Sequence, residues 1–481
     1  MIKKAAALLF AALILLSSVA GCADKAGDDS ANNSSVTESV ETTEEELSDG
    51  LPELNFEGHN FRMLVRNSAE AVLDVWSEEQ TGDLMEDAIF NRNFKIGERF
   101  NVTFEAMRSS SDNYDTDALK SILGGDDAYD LICPHARASF IYATEHSLLN
   151  WNIDLPYVNL DQPWWAQDAR ENLSVAGQLY TMTGDISHIN FGMSTCLVFN
   201  KALFADLGIE APYSLVLDNK WTFDKFNETI KNGYKDLNGD SKESMKEDQF
   251  GYMTAWWSGP IQVLYSANER TAKKDEDDIP YLSINSERVI DLFDKYFSIF
   301  NNSYAYLVLS DSNSDSEVAF KASHLLMRDV VFKDIAVMRD MEVDFGIVPW
   351  PKLDETVDKY YCNVNAFSPL FCVPITANDP SRTSVILEAL AFESYRTVIP
   401  TYYEVALKTK FARDDDSADM LDIIKDGRLY DFGYYTDAVG IFSSTGRVLA
   451  EMPARNFASF YSQNERTANK TLEKFIKKFT E

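Results

Sequence analysis

Oxygen-bearing side chains alternate in Asp236-Leu237-Asn238-Gly239-Asp240-Ser241-Lys242, and Glu247 stands at the twelfth place counted from Asp236. This spacing lets Asp236, Asn238, Asp240, the carbonyl of Lys242 and a bidentate Glu247 converge on one calcium ion. Ser241 stands where glycine normally makes the sharp turn of such a loop. The ion would be structural, not catalytic, and no cofactor is required. An acidic surface turn is the competing reading in so acidic a chain. A second group of residues suits small-ligand binding, in which aromatic walls surround a few placed polar groups. Trp164-Trp165 and Trp256-Trp257 are the aromatic candidates, and at most one of each adjacent pair can face a given cleft. Asp185 reads either as a hydroxyl acceptor or as a turn carboxylate after Gly184. His188, His135, Arg137 and Arg328 complete the set, with a structural histidine and a local salt bridge as the competing readings for His188 and Arg328. No G-x-S-x-G, H-E-x-x-H or phosphate-loop spacing occurs.

The chain around these residues reads in three parts. Lys3 and Lys4 precede an uncharged apolar run over residues 5–16. A spanning helix needs about 20 apolar residues, so residues 1–21 read as a cleavable signal peptide. Leu16-Ser17-Ser18-Val19-Ala20-Gly21-Cys22 resembles a lipobox, which marks Cys22 for lipidation and for the first place after cleavage. Residues 22–52 are rich in Ser, Thr, Asn, Asp and Glu, too polar to offset the entropy of ordering. They are expected to form a disordered acidic tether whose ends sit roughly 30 Å apart. The remainder exceeds the size at which single cores stop growing, so two lobes are expected.

The formal net charge is −33, from 44 Lys and Arg against 77 Asp and Glu. Nucleic acid and anionic membrane surfaces select basic patches, so neither is an expected partner. Besides Cys22 there are Cys133, Cys196, Cys362 and Cys372, with no C-x-x-C pair. Cys362 and Cys372 read either as a hairpin disulfide or as buried thiols.

Local pattern supplies the elements. Phe61, Met63 and Val65 alternate with polar residues, a strand signature. A helix is predicted over 83–99, strands over 101–104 and 129–132, and a helix ending at Gly124-Gly125. This β-α-β-α-β order predicts a parallel sheet with crossover helices, and ligands on such sheets bind beyond the carboxyl ends of the strands. The loop Cys133-Pro134-His135-Ala136-Arg137 is thereby a candidate surface. A strand is predicted over 180–183. Residues 196–199 read as another, followed by Asn200 as N-cap of a short helix and Gly208 as its C′ residue. Thr222 caps the next helix. A helix over 287–300, strands near 324–327 and 345–348, a buried helix over 385–395 and a helical tail follow.

In this order the pieces resemble the carbohydrate-type extracellular solute-binding proteins of bacterial ABC importers. The resemblance rests on Gly124-Gly125-Asp126-Asp127-Ala128-Tyr129-Asp130-Leu131, which lacks the proline usual there, and on Gly177-Gln178-Leu179-Tyr180. It continues through Val198-Phe199-Asn200-Lys201-Ala202-Leu203-Phe204 with Gly208-Ile209, Trp221-Thr222-Phe223-Asp224 and Asp344-Phe345-Gly346-Ile347-Val348-Pro349 with Pro351. It covers about residues 58–395. It implies an α/β, two-lobed, periplasmic-binding-protein-like (Venus-flytrap) fold with discontinuous lobes and a helical C-terminal part. The expected lobes are 53–190 plus 366–410 and 191–365 plus 411–481, joined by strands crossing near 190 and 365. The implied function is capture of a small solute, by analogy an oligosaccharide, and delivery to an ABC permease by a lipid-anchored monomer on the outer face of the membrane. The family places aromatics just after Phe250-Gly251-Tyr252, which favours Trp256 and Trp257 as ligand contacts over Trp165. The rival functions are a cell-surface glycoside hydrolase, which needs two facing carboxylates, and an adhesin-type lipoprotein.

Overall fold

The computed structural model describes residues 47–110, 117–310, 314–338, 341–403, 415–438, 440, 444–452 and 454–481. Cys22, the signal peptide and nearly all of the tether lie outside the described residues. Residues 48–481 form one compact unit.

Its first sheet is built from β1 (His59–Val65), β2 (Val102–Arg108) and β3 (Leu131–Cys133), all parallel, in the order β2-β1-β3. The alternation at Phe61, Met63 and Val65 is the buried face of β1, each of the three fully buried. Between β1 and β2 lies the helix Leu84–Phe100, capped by Asp83, whose carboxylate accepts from the amides of Met85 and Glu86. Asn101 ends that helix in the left-handed conformation at φ 53°.

The second sheet takes strands from the middle of the chain: β4 (Thr195–Asn200), β5 (Phe250–Ala255), β8 (Ala305–Val308), β9 (Leu325–Val331) and β10 (Phe345–Val348). β6 (Ala272–Lys274) and β7 (Pro280–Leu282) form a separate hairpin, and β11 (Cys362–Asn363) pairs with β12 (Arg428–Leu429). The five-stranded order is β10-β4-β9-β5-β8, with β4 antiparallel to both neighbours and the β9-β5-β8 side parallel. Its strands are buried along nearly their whole length, as a sheet covered on both faces requires. Asn200 and Thr222 cap their helices through the amides of Leu203 and Lys225. Gly251 admits the close approach of the Thr222-capped helix: a Cβ there would stand 2.0 Å from the Ile230 carbonyl oxygen.

The chain passes between the sheets twice. It leaves through the short helix His188–Gly192, whose successor Ser194 bridges to Val364 on the return. The Asn365 amide donates to Met193 O at 3.1 Å, and further along Cys372 bridges to Ile132 of β3. Phe371 bridges to Met182, so residues 180–183, predicted as a strand, contribute a single isolated bridge to the returning chain and no ladder of their own. The terminal helix Phe457–Thr480 reaches both regions: Phe457 stacks on Phe293 at 4.1 Å, and Phe479 packs on Phe140 and Tyr180. No helix among the described residues is long and apolar enough to cross a membrane.

Cys133, Cys196, Cys362 and Cys372 are all free and buried, which decides between the two readings of Cys362 and Cys372. Burial pushes the Cys362 and Cys372 thiols up to about 12, leaving almost no thiolate at neutral pH. The tether-free body is therefore expected to give no reaction with a thiol reagent while native and four thiols per chain once unfolded without reductant. A count of two would reveal a disulfide.

Candidate functional site

A cavity of about 180 Å³ lies where the two crossings run between the sheets. Its walls come from the crossings themselves (Met193, Asn365, Phe367) and from the second sheet and its connections (Thr195, Trp257, Ser258, Asp329, Val330, Val331, Lys333, Asp334). Trp257 and Ser258 follow β5 one residue on, after Trp256, at the carboxyl end of a parallel pair, the expected place for a ligand in an α/β sheet. A larger groove of about 440 Å³ runs along the terminal helix between Lys470, Lys474 and Lys478. It is a furrow on one helix surface, away from any strand end.

The wall chemistry is mixed. Trp257 is half-buried, and its indole N–H is enclosed without a hydrogen-bond partner among the described residues. Phe367, on the return crossing, is 60% exposed. Asp329 is buried and fixed from behind, accepting from Tyr252 Oη at 3.2 Å and from Ser258 Oγ. A carboxylate held in this way has lone pairs to spare for hydroxyl donors. Burial raises the Asp334 carboxyl above the usual range, against the pull of Lys333 and Arg328. At the rim Lys333 Nζ meets Glu70 Oε2 at 3.2 Å, an ion pair between a helix beside the first sheet and one beside the second.

Of the sequence candidates, Trp257 lines this cavity while Trp256 is 7% exposed and belongs to the core. Trp165 is corrected to a core residue. It and Trp164 are almost fully buried, and their indole N–H groups donate to the two oxygens of Glu388 at 2.9 and 3.0 Å. Arg328 does not line the cavity, whereas its neighbours Asp329, Val330 and Val331 do. His188 is buried beside Asp74, its Nδ1 3.1 Å from Oδ1 without the alignment of a hydrogen bond, and its ring packs on Tyr402. Asp185 lies before the first crossing and does not line the cavity; burial pushes its carboxyl up to about 6 while Arg428 and Lys425 pull it down. His135 and Arg137 sit beyond β3, as the strand-end argument requires, and the His135 ring is 5.7 Å from that of Phe367. Phe367 and Asn365 are contributions that the sequence did not reveal. Their only signal was the position of the return crossing.

In the acidic loop the side chains bond largely to the loop itself. Asp236 spends its oxygens on the amides of Gly239 and Ser241, Asp240 accepts from Lys242, and the Asn238 side-chain amide faces Glu247. Ser241 does make the sharp turn, at φ 62°. Yet among the described residues no three carboxylate, histidine or cysteine groups are gathered as a metal would need.

No family model matches the chain, and no curated protein matches it in sequence. Solved structures match almost end to end. A cyclo/maltodextrin-binding protein in complex with maltotetraose superposes over 88% of this chain and 96% of its own, with a TM-score of 0.53 at 12% identity. UspC of M. tuberculosis covers 86% and 100%, with a TM-score of 0.59 at 11% identity. The GacH receptor of Streptomyces glaucescens, known unliganded and in complex with acarbose, covers 86% and 99% with a TM-score of 0.53 at 11% identity. The fold is that of the ABC-importer solute-binding proteins. It is α/β and two-lobed, as the motif order implied.

Proposed function

We propose that the protein captures a saccharide in the cleft between its lobes and presents it to an ABC permease, without chemical conversion. The observation that carries this reading is the cleft wall at the crossings. There an enclosed indole N–H on Trp257, an exposed Phe367 ring and the anchored Asp329 carboxylate face one cavity. Aromatic faces take the C–H faces of a sugar ring, and a carboxylate fixes its hydroxyls; such a pairing is the usual economy of a small-ligand site. The neighbouring structures named for maltotetraose and acarbose complexes add weight to a saccharide.

About 180 Å³ is below the roughly 300–1,000 Å³ of ordinary ligand pockets, so an oligosaccharide requires the lobes to part and close again about the crossings. Closure can be driven only by the ligand's extra affinity for the closed form. In this reading the lobes are 53–190 plus 366–410 and 191–365 plus 411–481, and lipidated Cys22 with the acidic tether holds the body at the outer face of the membrane.

The test is a thermal-shift screen of the body from Leu51 against mono- and oligosaccharides. A ligand that binds only the folded state must raise the midpoint, by about 2.7 kcal/mol of added stability at 100 times its Kd. A shift with the glycan recovered intact is expected. Cleavage of the glycan would instead support a glycoside hydrolase, and no shift with any sugar would remove the saccharide.

A further inference from the structure

Two arginines reach the carboxyl edge of the first sheet without a counter-charge. Arg66 directly follows β1, and the pairing of Val65 with Cys133 sets it beside Pro134 and His135. Its residue is 8% exposed, and its guanidinium makes no hydrogen bond or ion pair among the described residues. Arg137 lies in the first turn of the helix Ala136–Thr144, half-buried, with its Nε enclosed and unpartnered. Arg62 pairs with Asp127 and Asp130, Arg270 with Asp168 and Lys274 with Asp278, whereas Arg328, 3% exposed in β9, has its Nε unpartnered as Arg137 does. With 77 acidic residues against 44 basic ones, acids to pair with are plentiful. Of their nitrogens only the Arg137 Nε is fully enclosed, so both guanidiniums keep faces open to take an anion.

His135 joins them as a neutral donor. Its Nδ1 accepts from the Ala138 amide at 3.3 Å, which leaves the proton on Nε2. Burial, with Arg66 and Arg137 nearby, lowers its pKa to about 4, so it adds no third charge at neutral pH. The ring stands against Phe367 of the cleft wall, and the Ala136 amide donates to Ser368 O at 2.9 Å, fixing this edge to the return crossing. The cavity that Phe367 lines also carries Asp329 and Asp334.

We propose that Arg66, Arg137 and His135 form an anion-accepting end of the cleft, so that the preferred saccharide carries a carboxylate or phosphoryl group. The guanidiniums and the Nε2–H supply charge-assisted donors to that group. Asp329 and Asp334 turn the anion away from their own wall and take neutral hydroxyls instead, which fixes the direction in which the sugar lies. This rests on the saccharide reading above and names its ligand class.

The experiment is calorimetric titration of the full body with three sets of probes: neutral hexose oligosaccharides, uronate oligosaccharides and hexose phosphates. The expected result is tighter binding of an anionic set, weakened roughly 10- to 100-fold by Arg66→Gln or Arg137→Gln. The same variants should change neutral-sugar binding by less than about 3-fold and leave the unliganded thermal midpoint little changed, because neither guanidinium has a hydrogen bond or ion pair to lose among the described residues. A preference for uronates identifies a carboxylate ligand, and a preference for hexose phosphates a phosphoryl one. Neutral sugars binding as tightly as anionic ones, indifferent to Arg66→Gln, would overturn the anion subsite and leave the saccharide reading standing. Failure of all three sets to bind would overturn both.

Discussion

Replacing Trp257 by alanine is expected to weaken saccharide binding about 30-fold, some 2 kcal/mol, the usual cost of truncating an aromatic anchor in a binding site. The unliganded body should keep its stability within about 1 kcal/mol, because Trp257 is only half-buried and its indole N–H has no partner to lose. Trp256→Ala should behave in the opposite sense. That side chain is 7% exposed within the core, and truncating a buried tryptophan costs about 3–5 kcal/mol. Titration calorimetry and denaturant unfolding of the two variants side by side separate the roles. If Trp257→Ala binds like the parent, the ligand does not use this wall.

Glu388 controls a second large effect, on stability. Its carboxylate is fully buried in the helix Pro380–Glu393 and accepts from Trp164 Nε1, Trp165 Nε1 and the Asn159 amide. Glu388→Ala strands three donors and opens a void, and each stranded buried donor costs about 1–3 kcal/mol; a loss of about 4 kcal/mol is expected in denaturant unfolding. The same carboxyl confers a pH dependence. Burial raises it from 4.5 to about 7, against the three donated hydrogen bonds. Over that interval the folded state holds a proton that the unfolded state has released, so stability falls as pH rises through it, by about 3 kcal/mol at most. Glu388→Gln should abolish this slope, while still costing about 1–3 kcal/mol because its amide opposes one indole N–H with another donor. A slope unchanged in that variant would assign it to other groups.

Much of the scaffold was legible because local chemistry and tertiary context agree there. Alternation at Phe61, Met63 and Val65 gave β1, and Asp83, Asn200 and Thr222 are helix caps whose side chains bond the amides expected of them. Residues 180–183 misled because their apolar alternation is used to line the return crossing, where a single bridge replaces a ladder. The antiparallel placement of β4 was hidden for a related reason: it depends on partners more than 100 residues away, β9 and β10.

The site was less legible. Residue type nominated both tryptophan pairs, yet whether an indole faces a cavity or a buried glutamate depends on Glu388, over 220 residues from Trp164 and Trp165. Arg328 and Asp329 are neighbours in β9, yet only Asp329, near the carboxyl end of the strand with Val330 and Val331, lines the cavity. Phe367 carries no motif at all; only the path of the returning chain brings it to the cavity. In the acidic loop the spacing was plain, and the structure adds that Asp236 and Asp240 accept from backbone amides of the loop itself.

Small-angle scattering of the body from Leu51, with and without a saccharide that raises its thermal midpoint, tests the central claim most directly. The result expected is a smaller radius of gyration on ligand addition, lost in Trp257→Ala at the same ligand concentration, with the glycan recovered unchanged. Tight binding with no contraction, or contraction indifferent to Trp257, would contradict capture by closure of this cleft.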